Sequence, residues 1–194
     1  MVPAMTYSFR KLVAADVWRC TGRIGWRAFA KAWFIDPAFR PVFTMRLCQA
    51  CKSLPWILRG PALALARWWH QRARMRCALD IPWSLQAGPG LKLLHGIGIV
   101  INADTVIGTN VTIMQGVTIG GTQRGIPVIE DDVIVCANAT VLGSVRLGRG
   151  AVIGAGAVVV KDVPAASNVV GNPARVLPRT APPKGYHPLP EGLR

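Results

Sequence analysis

Of the three histidines in this 194-residue chain, His70, His95 and His187, only His95 falls in line with a run of aliphatic residues spaced six apart. It stands where a core filler is expected. An imidazole titrates near neutrality and can take a proton from a hydroxyl group, so a histidine in that line offers general-base chemistry. Two readings stand side by side: the repeat starts irregularly there, or His95 is placed for catalysis. His70 and His187 lie outside the repeat and are read as surface residues. A single histidine in the repeat does not make a three-histidine zinc site, and no metal is expected. Cys48 and Cys51 form a C-x-x-C within an expected helix, with neither a second cysteine pair for zinc nor the βαβ setting of a redox motif, and are read as buried or bystander thiols. Cys20, Cys77 and Cys136 have no evident partner. Five cysteines, an odd number, and no cleavable signal peptide point to a reducing, cytoplasmic setting.

The elements that must position His95 are announced by the six-residue rhythm. Ile129, Val135, Val141, Leu147, Ile153 and Val159 keep it downstream, and Ile101, Ile107, Ile113 and Ile119 keep it upstream. Neither an amphipathic helix, with its period of 3.6, nor a two-faced strand, with its period of 2, produces this spacing, whereas a parallel β-helix of stacked short turns does. A second, smaller slot follows four residues after each bulky one, at Thr105, Val111, Val117, Val133, Ala139, Val145, Ala151, Ala157 and Val163. Glycine often follows the bulky slot, at Gly108, Gly120, Gly148 and Gly154, and is read as easing a bend. The step from Ile119 to Ile129 is ten, so four extra residues must leave the stack as a loop around Thr122 to Pro127. Loops on rigid scaffolds are where function concentrates.

Charge divides the chain. Residues 1–79 carry 14 Lys and Arg against Asp16 and Asp36, a net of 14 − 2 = +12, and six of the seven tryptophans. Residues 80–194 carry 9 against 7, a net of +2. The first segment reads as short helices broken near Pro37, Pro41, Pro55 and Pro61. Arg59 and Arg67 interrupt its most apolar stretch, which excludes a membrane-spanning helix. Basic and aromatic residues together suit either peripheral contact with an anionic membrane face or a helical oligomerisation cap, with tryptophan inside and arginine solvated. No nucleic-acid-binding motif accompanies the charge, and nucleic acid is not expected as a partner. Three parts follow: a helical segment at 1–79, a β-helix at 80–177 and an extended, Pro-rich tail at 178–194.

The stretch from Asp80 to Leu177 resembles the hexapeptide-repeat acyltransferases of left-handed parallel β-helix fold, and within them the serine O-acetyltransferase branch. The blocks that carry the resemblance are His95-Gly96-Ile97-Gly98-Ile99-Val100, Gln115-Gly116-Val117-Thr118-Ile119-Gly120-Gly121-Thr122, Ile153-Gly154-Ala155-Gly156-Ala157, Lys161-Asp162-Val163-Pro164 and Gly171-Asn172-Pro173-Ala174-Arg175. The resemblance implies a homotrimer that uses acetyl-CoA, with His95 as general base and Asp80, fifteen residues earlier, orienting its imidazole. Asp80 before Ile-Pro is also a plausible cap or turn residue. For acetyl-CoA the resemblance points to Ala137, Ala155, Lys161 and Arg175, with Gly120, Gly121 and Thr122 at the thioester end. The alanines equally suit plain packing of tight corners.

The acceptor site departs from the serine enzymes. Where they carry Arg-His-Pro in the inserted loop, this chain has Arg124 without the histidine, and Leu94 stands where they use an aspartate. A closer analogy is the compact acetyltransferases of exopolysaccharide pathways such as colanic acid, whose acceptors are sugar hydroxyls, often lipid-linked. The leading expectation is therefore sugar O-acetylation in polysaccharide assembly. Serine O-acetylation in cysteine biosynthesis is the alternative, and a non-catalytic β-helix scaffold with a membrane-recruiting basic arm is the second.

Overall fold

The computed structural model describes residues 7–177 and 188–194. Expectations for His187 and for the prolines at 178, 182 and 183 lie outside the described residues. Four helices come first: α1 (Phe9–Thr21), α2 (Trp26–Ile35), α3 (Phe39–Cys51) and α4 (Trp56–Met75). The Ser8 hydroxyl accepts from the Lys11 amide at the start of α1, and Gly22 closes it in the left-handed conformation. Two of the four expected proline breaks are absent. Pro41 sits in the first turn of α3, where its missing N–H would have had no intrahelical partner, and Pro61 lies inside α4 on its exposed side. Among the described residues no helix is long and apolar enough to cross a membrane.

Among the described residues, fourteen strands of two or three residues, numbered along the chain, then stack into three sheets. One holds β1 (Gln86–Ala87), β4 (Val106–Ile107), β7 (Val128–Ile129) and β10 (Arg146–Leu147). The second holds β2 (Lys92–Leu94), β5 (Thr112–Met114), β8 (Ile134–Val135), β11 (Val152–Ile153), β13 (Asn168–Val170) and β14 (Arg175–Leu177). The third holds β3 (Val100–Ile101), β6 (Thr118–Gly120), β9 (Thr140–Leu142) and β12 (Val158–Val159). All pairings are parallel except β13 with β14, so the chain winds as a parallel β-helix of about four turns.

Every aliphatic residue of the six-residue rhythm from Ile101 to Val159 is buried, and so are the smaller partners from Thr105 to Val163. Burying each large slot contributes about 1.5–3 kcal/mol, and one continuous core results. Below Ile101 the register changes. Ile101 stacks on Ile81, Ile107 on Ala87 and Ile113 on Leu93, so the bulky slots run 81, 87, 93 and then 101, with a step of eight. The first of the two readings of His95 holds: the first coil is irregular, and the irregularity lifts His95 out of the core line. The glycines after the bulky slots also need a different explanation. None of the four has a positive φ. The constraint is space, since a Cβ on Gly148 would lie 2.5 Å from the Ala165 amide nitrogen on the next coil.

The helices cap the lower end of the coil. Val42 and Met45 of α3 join the core beside Ile81 and Leu85. The Arg46 guanidinium bonds the Asp16 carboxylate at 3.0 Å and donates to the carbonyls of Ala87 and Gly88, while the Gly90 and Leu91 amides donate to Asp16. Lys92 pairs with Asp36, and Arg19 donates to Thr112. The expected extended tail is not extended at its end. A 3-10 turn, Glu191–Leu193, packs against α1, Leu189 is buried over Gly90, and Arg194 pairs with Asp132 at 3.0 Å.

Candidate active site

His95 lies in the turn joining β2 to β3, on the corner between the six-stranded sheet and the third sheet. Two residues beyond the usual six are accommodated there, because Val100 pairs with Thr118, eighteen residues on, while Lys92 pairs with Thr112, twenty on. His95 adopts φ +52°, a left-handed conformation that few non-glycine residues take, and its side chain is exposed. The following Gly96 packs on the cap: a Cβ there would come within 2.7 Å of the Ala38 Cβ and 3.1 Å of the Leu93 Cβ. The helical cap therefore bears directly on the turn that presents the imidazole.

Higher coils repeat this corner. The Gly116 amide donates to the Ile97 carbonyl, Asn138 to Gln115 and Gly156 to Ala137, each at 2.9 Å, so Ile97, Gln115, Ala137 and Ala155 form one column, and His95 lies two residues before its lowest member, in the same turn. Ala137 is half-buried and Ala155 exposed. Gln115 carries no role in the expected site. Its side-chain oxygen is buried without a hydrogen-bond partner among the described residues, directly over the His95 turn. The signal available beforehand was its place one coil above His95, which needs the coil lengths to be known.

Gly120, Gly121, Thr122, Arg124 and Lys161 occupy the opposite corner, between the third sheet and the sheet of β1, whereas Leu94 and Arg175 lie in the six-stranded sheet. Gly120 ends β6, and Gly121 leads into the four-residue insertion, which closes as a tight turn with Thr122 and Gly125 exchanging backbone hydrogen bonds at 2.9 and 3.0 Å. Arg124 is exposed at its tip, its amide donating to the Thr122 hydroxyl at 3.2 Å. Lys161 is exposed on the same corner after β12. Arg175 starts β14 at the upper end, exposed, with its guanidinium on the Pro173 and Ala174 carbonyls. Leu94 is half-buried at the end of β2, beside Met114. The third sheet, one short strand wide, thus separates a corner with His95, Ala137 and Ala155 from a corner with Thr122, Arg124 and Lys161.

Asp80 departs from its expected role. Its backbone pairs with Val100 on the coil above, close in the stack to the His95 turn. Its carboxylate, however, accepts from Arg74 at 2.6 Å and makes no hydrogen bond or ion pair with His95. A guanidinium from α4 is a stronger partner for an exposed carboxylate than a neutral imidazole. His70 is likewise not a surface residue. It is 3 % exposed, its Nε2 donates to the Ile81 carbonyl at 2.9 Å, and its Nδ1 faces the Thr44 hydroxyl at 3.0 Å. Burial lowers its pKa. Cys48 and Cys51 are buried free thiols in α3, and burial pushes Cys48 up to about 11, which suits the bystander reading.

His95 lines neither of two clefts of the chain. One, about 830 Å³, runs over the sheet of β1 beside α1 and α3, and the other, about 410 Å³, lies under α4 by Trp83. On the single chain the His95 corner is an open edge.

Residues 126–161 match the family model described as bacterial transferase hexapeptide, six repeats. The chain is 47 % identical over 153 residues to a serine acetyltransferase of Bacillus licheniformis, covering 73 % of this chain and 71 % of that one. It is 39 % identical over 153 residues to the Bacillus subtilis enzyme of the same name, covering 73 % and 70 %. Among solved structures it resembles a soybean serine acetyltransferase complexed with serine, with 32 % identity and TM-score 0.73 over 88 % of this chain and 70 % of that one. It also resembles a serine acetyltransferase in complex with CoA, with 27 % identity and TM-score 0.72 over 88 % and 70 %. These relatives support the serine alternative over the exopolysaccharide expectation.

Proposed function

This chain belongs to the serine acetyltransferase family of hexapeptide-repeat acyltransferases, and we propose that it moves acetyl from acetyl-CoA to the side-chain hydroxyl of L-serine, with His95 as general base. The observation that carries the reading is the match over most of both chains to serine acetyltransferases, together with an exposed His95 in the turn at the foot of the column that holds Ala137 and Ala155.

In this mechanism His95 takes the hydroxyl proton as the serine oxygen attacks the thioester carbonyl carbon. The tetrahedral intermediate expels the CoA thiolate, which recovers the proton from the imidazolium. Positioned acid–base catalysis of this kind contributes about 10²- to 10⁴-fold. Ala137 and Ala155 leave room for the pantetheine against the corner backbone. Lys161 and Arg175 supply cations for the CoA phosphates, and Gly120, Gly121 and Thr122 border the thioester. Arg124 receives the serine carboxylate. With Leu94 in place of an acid the amino group finds no charged partner from this chain at that position, a loss of about 1.5–3 kcal/mol relative to a made contact. Weak serine binding with unimpaired turnover is the expected signature.

An exposed His95 that lines no cleft calls for a second surface to enclose the reacting groups, and a homotrimer with the site between neighbouring coils provides it. Asp80 acts as a positioning residue for His95 once its carboxylate leaves Arg74. Asp80→Asn then lowers kcat and shifts the acid limb of its pH profile, and Arg74→Gln leaves both near the parent's values. If Asp80→Asn changes neither, the carboxylate serves Arg74 alone.

The test of the acceptor is direct. Purified protein, acetyl-CoA and L-serine release CoA at a rate on the order of 10 s⁻¹. No release with serine, alongside release with a sugar acceptor, overturns the serine assignment in favour of the polysaccharide reading.

A further inference from the structure

The helical cap turns much of its aromatic surface outward. Trp26 on α2 is 75 % exposed, and on α4 Trp56 is 80 % and Trp68 57 % exposed. On α4, Ile57, Leu65, Trp68 and Met75 fall at helical spacing on the side opposite the buried Ala66, His70 and Ala73. On α2, Trp26 and Phe34 lie opposite the buried Ala28 and Ala32. The two helices meet through Trp33 and Trp69, whose rings are 5.7 Å apart, so the outward rows form neighbouring parts of one surface. A cap folded to hide its tryptophans does not have this form, and an apolar surface of this extent marks an interaction face.

Its charge identifies the partner. Neither α2 nor α4 contains an acidic residue, whereas Arg27, Lys31, Arg59, Arg67 and Arg72 are exposed along them. The only acids of residues 1–79 are committed elsewhere: Asp16 is buried against Arg46, and Asp36 is held by Lys92. Arg27 lies over the ring of Trp26 and Arg72 over that of Trp68, which groups cation and indole at one level. Tryptophan beside arginine, with apolar side chains between and no anion, is the composition of a helix face that rests in the interface of an anionic bilayer. A second copy of the same face would oppose like charges with nothing to neutralise them. We propose that α2 and α4 dock this protein peripherally on an anionic lipid surface, with Ile57, Trp68 and Trp26 inserted at headgroup level and the arginines on lipid phosphates.

The purified 194-residue chain is sedimented with vesicles of phosphatidylcholine alone and of phosphatidylcholine with phosphatidylglycerol, at low and high salt. Docking predicts binding to the anionic vesicles only, at least tenfold weaker at high salt, with a blue-shifted tryptophan emission. Trp68→Ser combined with Ile57→Ser lowers the vesicle partition about tenfold, and Trp68→Phe keeps most of it. Both variants keep acetyl transfer in solution, since neither residue lies at the His95 corner. Absence of wild-type binding to anionic vesicles at low salt overturns the proposal. So does binding that both serine substitutions leave unchanged, which reflects bulk positive charge. If instead Trp68→Glu reduces the sedimenting mass of the lipid-free protein and no vesicle binding occurs, the face belongs to a second copy of the chain.

Discussion

The β-helix and the helical cap bury their residues by opposite rules. In the coil, one aliphatic residue and one small residue per six fill a uniform interior, and each contact is made with the coil directly above or below. In the cap, Arg46, Asp16 and His70 are buried while four tryptophans, Trp26, Trp56, Trp68 and Trp69, are exposed. The coil is set by local spacing; the cap is set by a few polar contacts to residues far away in sequence. The difference teaches that the coil supplies a rigid column of corners, and that the cap determines where the lowest corner, with His95, comes to rest.

That contrast can be broken most severely at Arg46. Arg46→Ala strands the Asp16 carboxylate in a dry site and should cost about 3–5 kcal/mol, read as a lower urea midpoint. An aliphatic slot of the coil comes next: Ile153→Ala opens a cavity and should cost about 2–5 kcal/mol, with the loss confined to stability. A cost below 1 kcal/mol at Ile153 contradicts the tightly filled interior. Acid comes after these. The folded pKa of His70 lies below its unfolded value, so its neutral form favours folding above about pH 6.5 and that contribution is lost as pH falls through the lowered value. Thermal melts should show a drop in Tm in this range that His70→Gln flattens. The smallest change is expected at Trp56, where Trp56→Ser should leave the urea midpoint within about 0.5 kcal/mol of the parent, in contrast to the buried polar groups of the same cap.

The legibility of the sequence follows the same division. From Ile101 to Val159 every slot could be assigned, because the period depends on neighbours six and four residues away. The slip below Ile101 could not, since two extra residues at the His95 turn are invisible until Leu93 is seen stacked on Ile113. Pro41 and Pro61 read as breakers, yet one occupies a first helical turn and the other an exposed side. His70 read as a surface residue because Thr44 and the Ile81 carbonyl, its partners, are 26 and 11 residues distant. The candidate site residues rest on family resemblance, and the resemblance did not give their division between two corners of one sheet. The Arg74 contact of Asp80 was also hidden, because it depends on where α4 ends.

The central claim is that one exposed imidazole on an irregular first corner activates the hydroxyl of serine. It is tested most directly by comparing wild type and His95→Ala in CoA release from acetyl-CoA and L-serine, with matched circular dichroism and oligomer mass. A fall in kcat of about 10²- to 10⁴-fold with an unchanged fold is the predicted result; full activity in the His95→Ala protein contradicts the account.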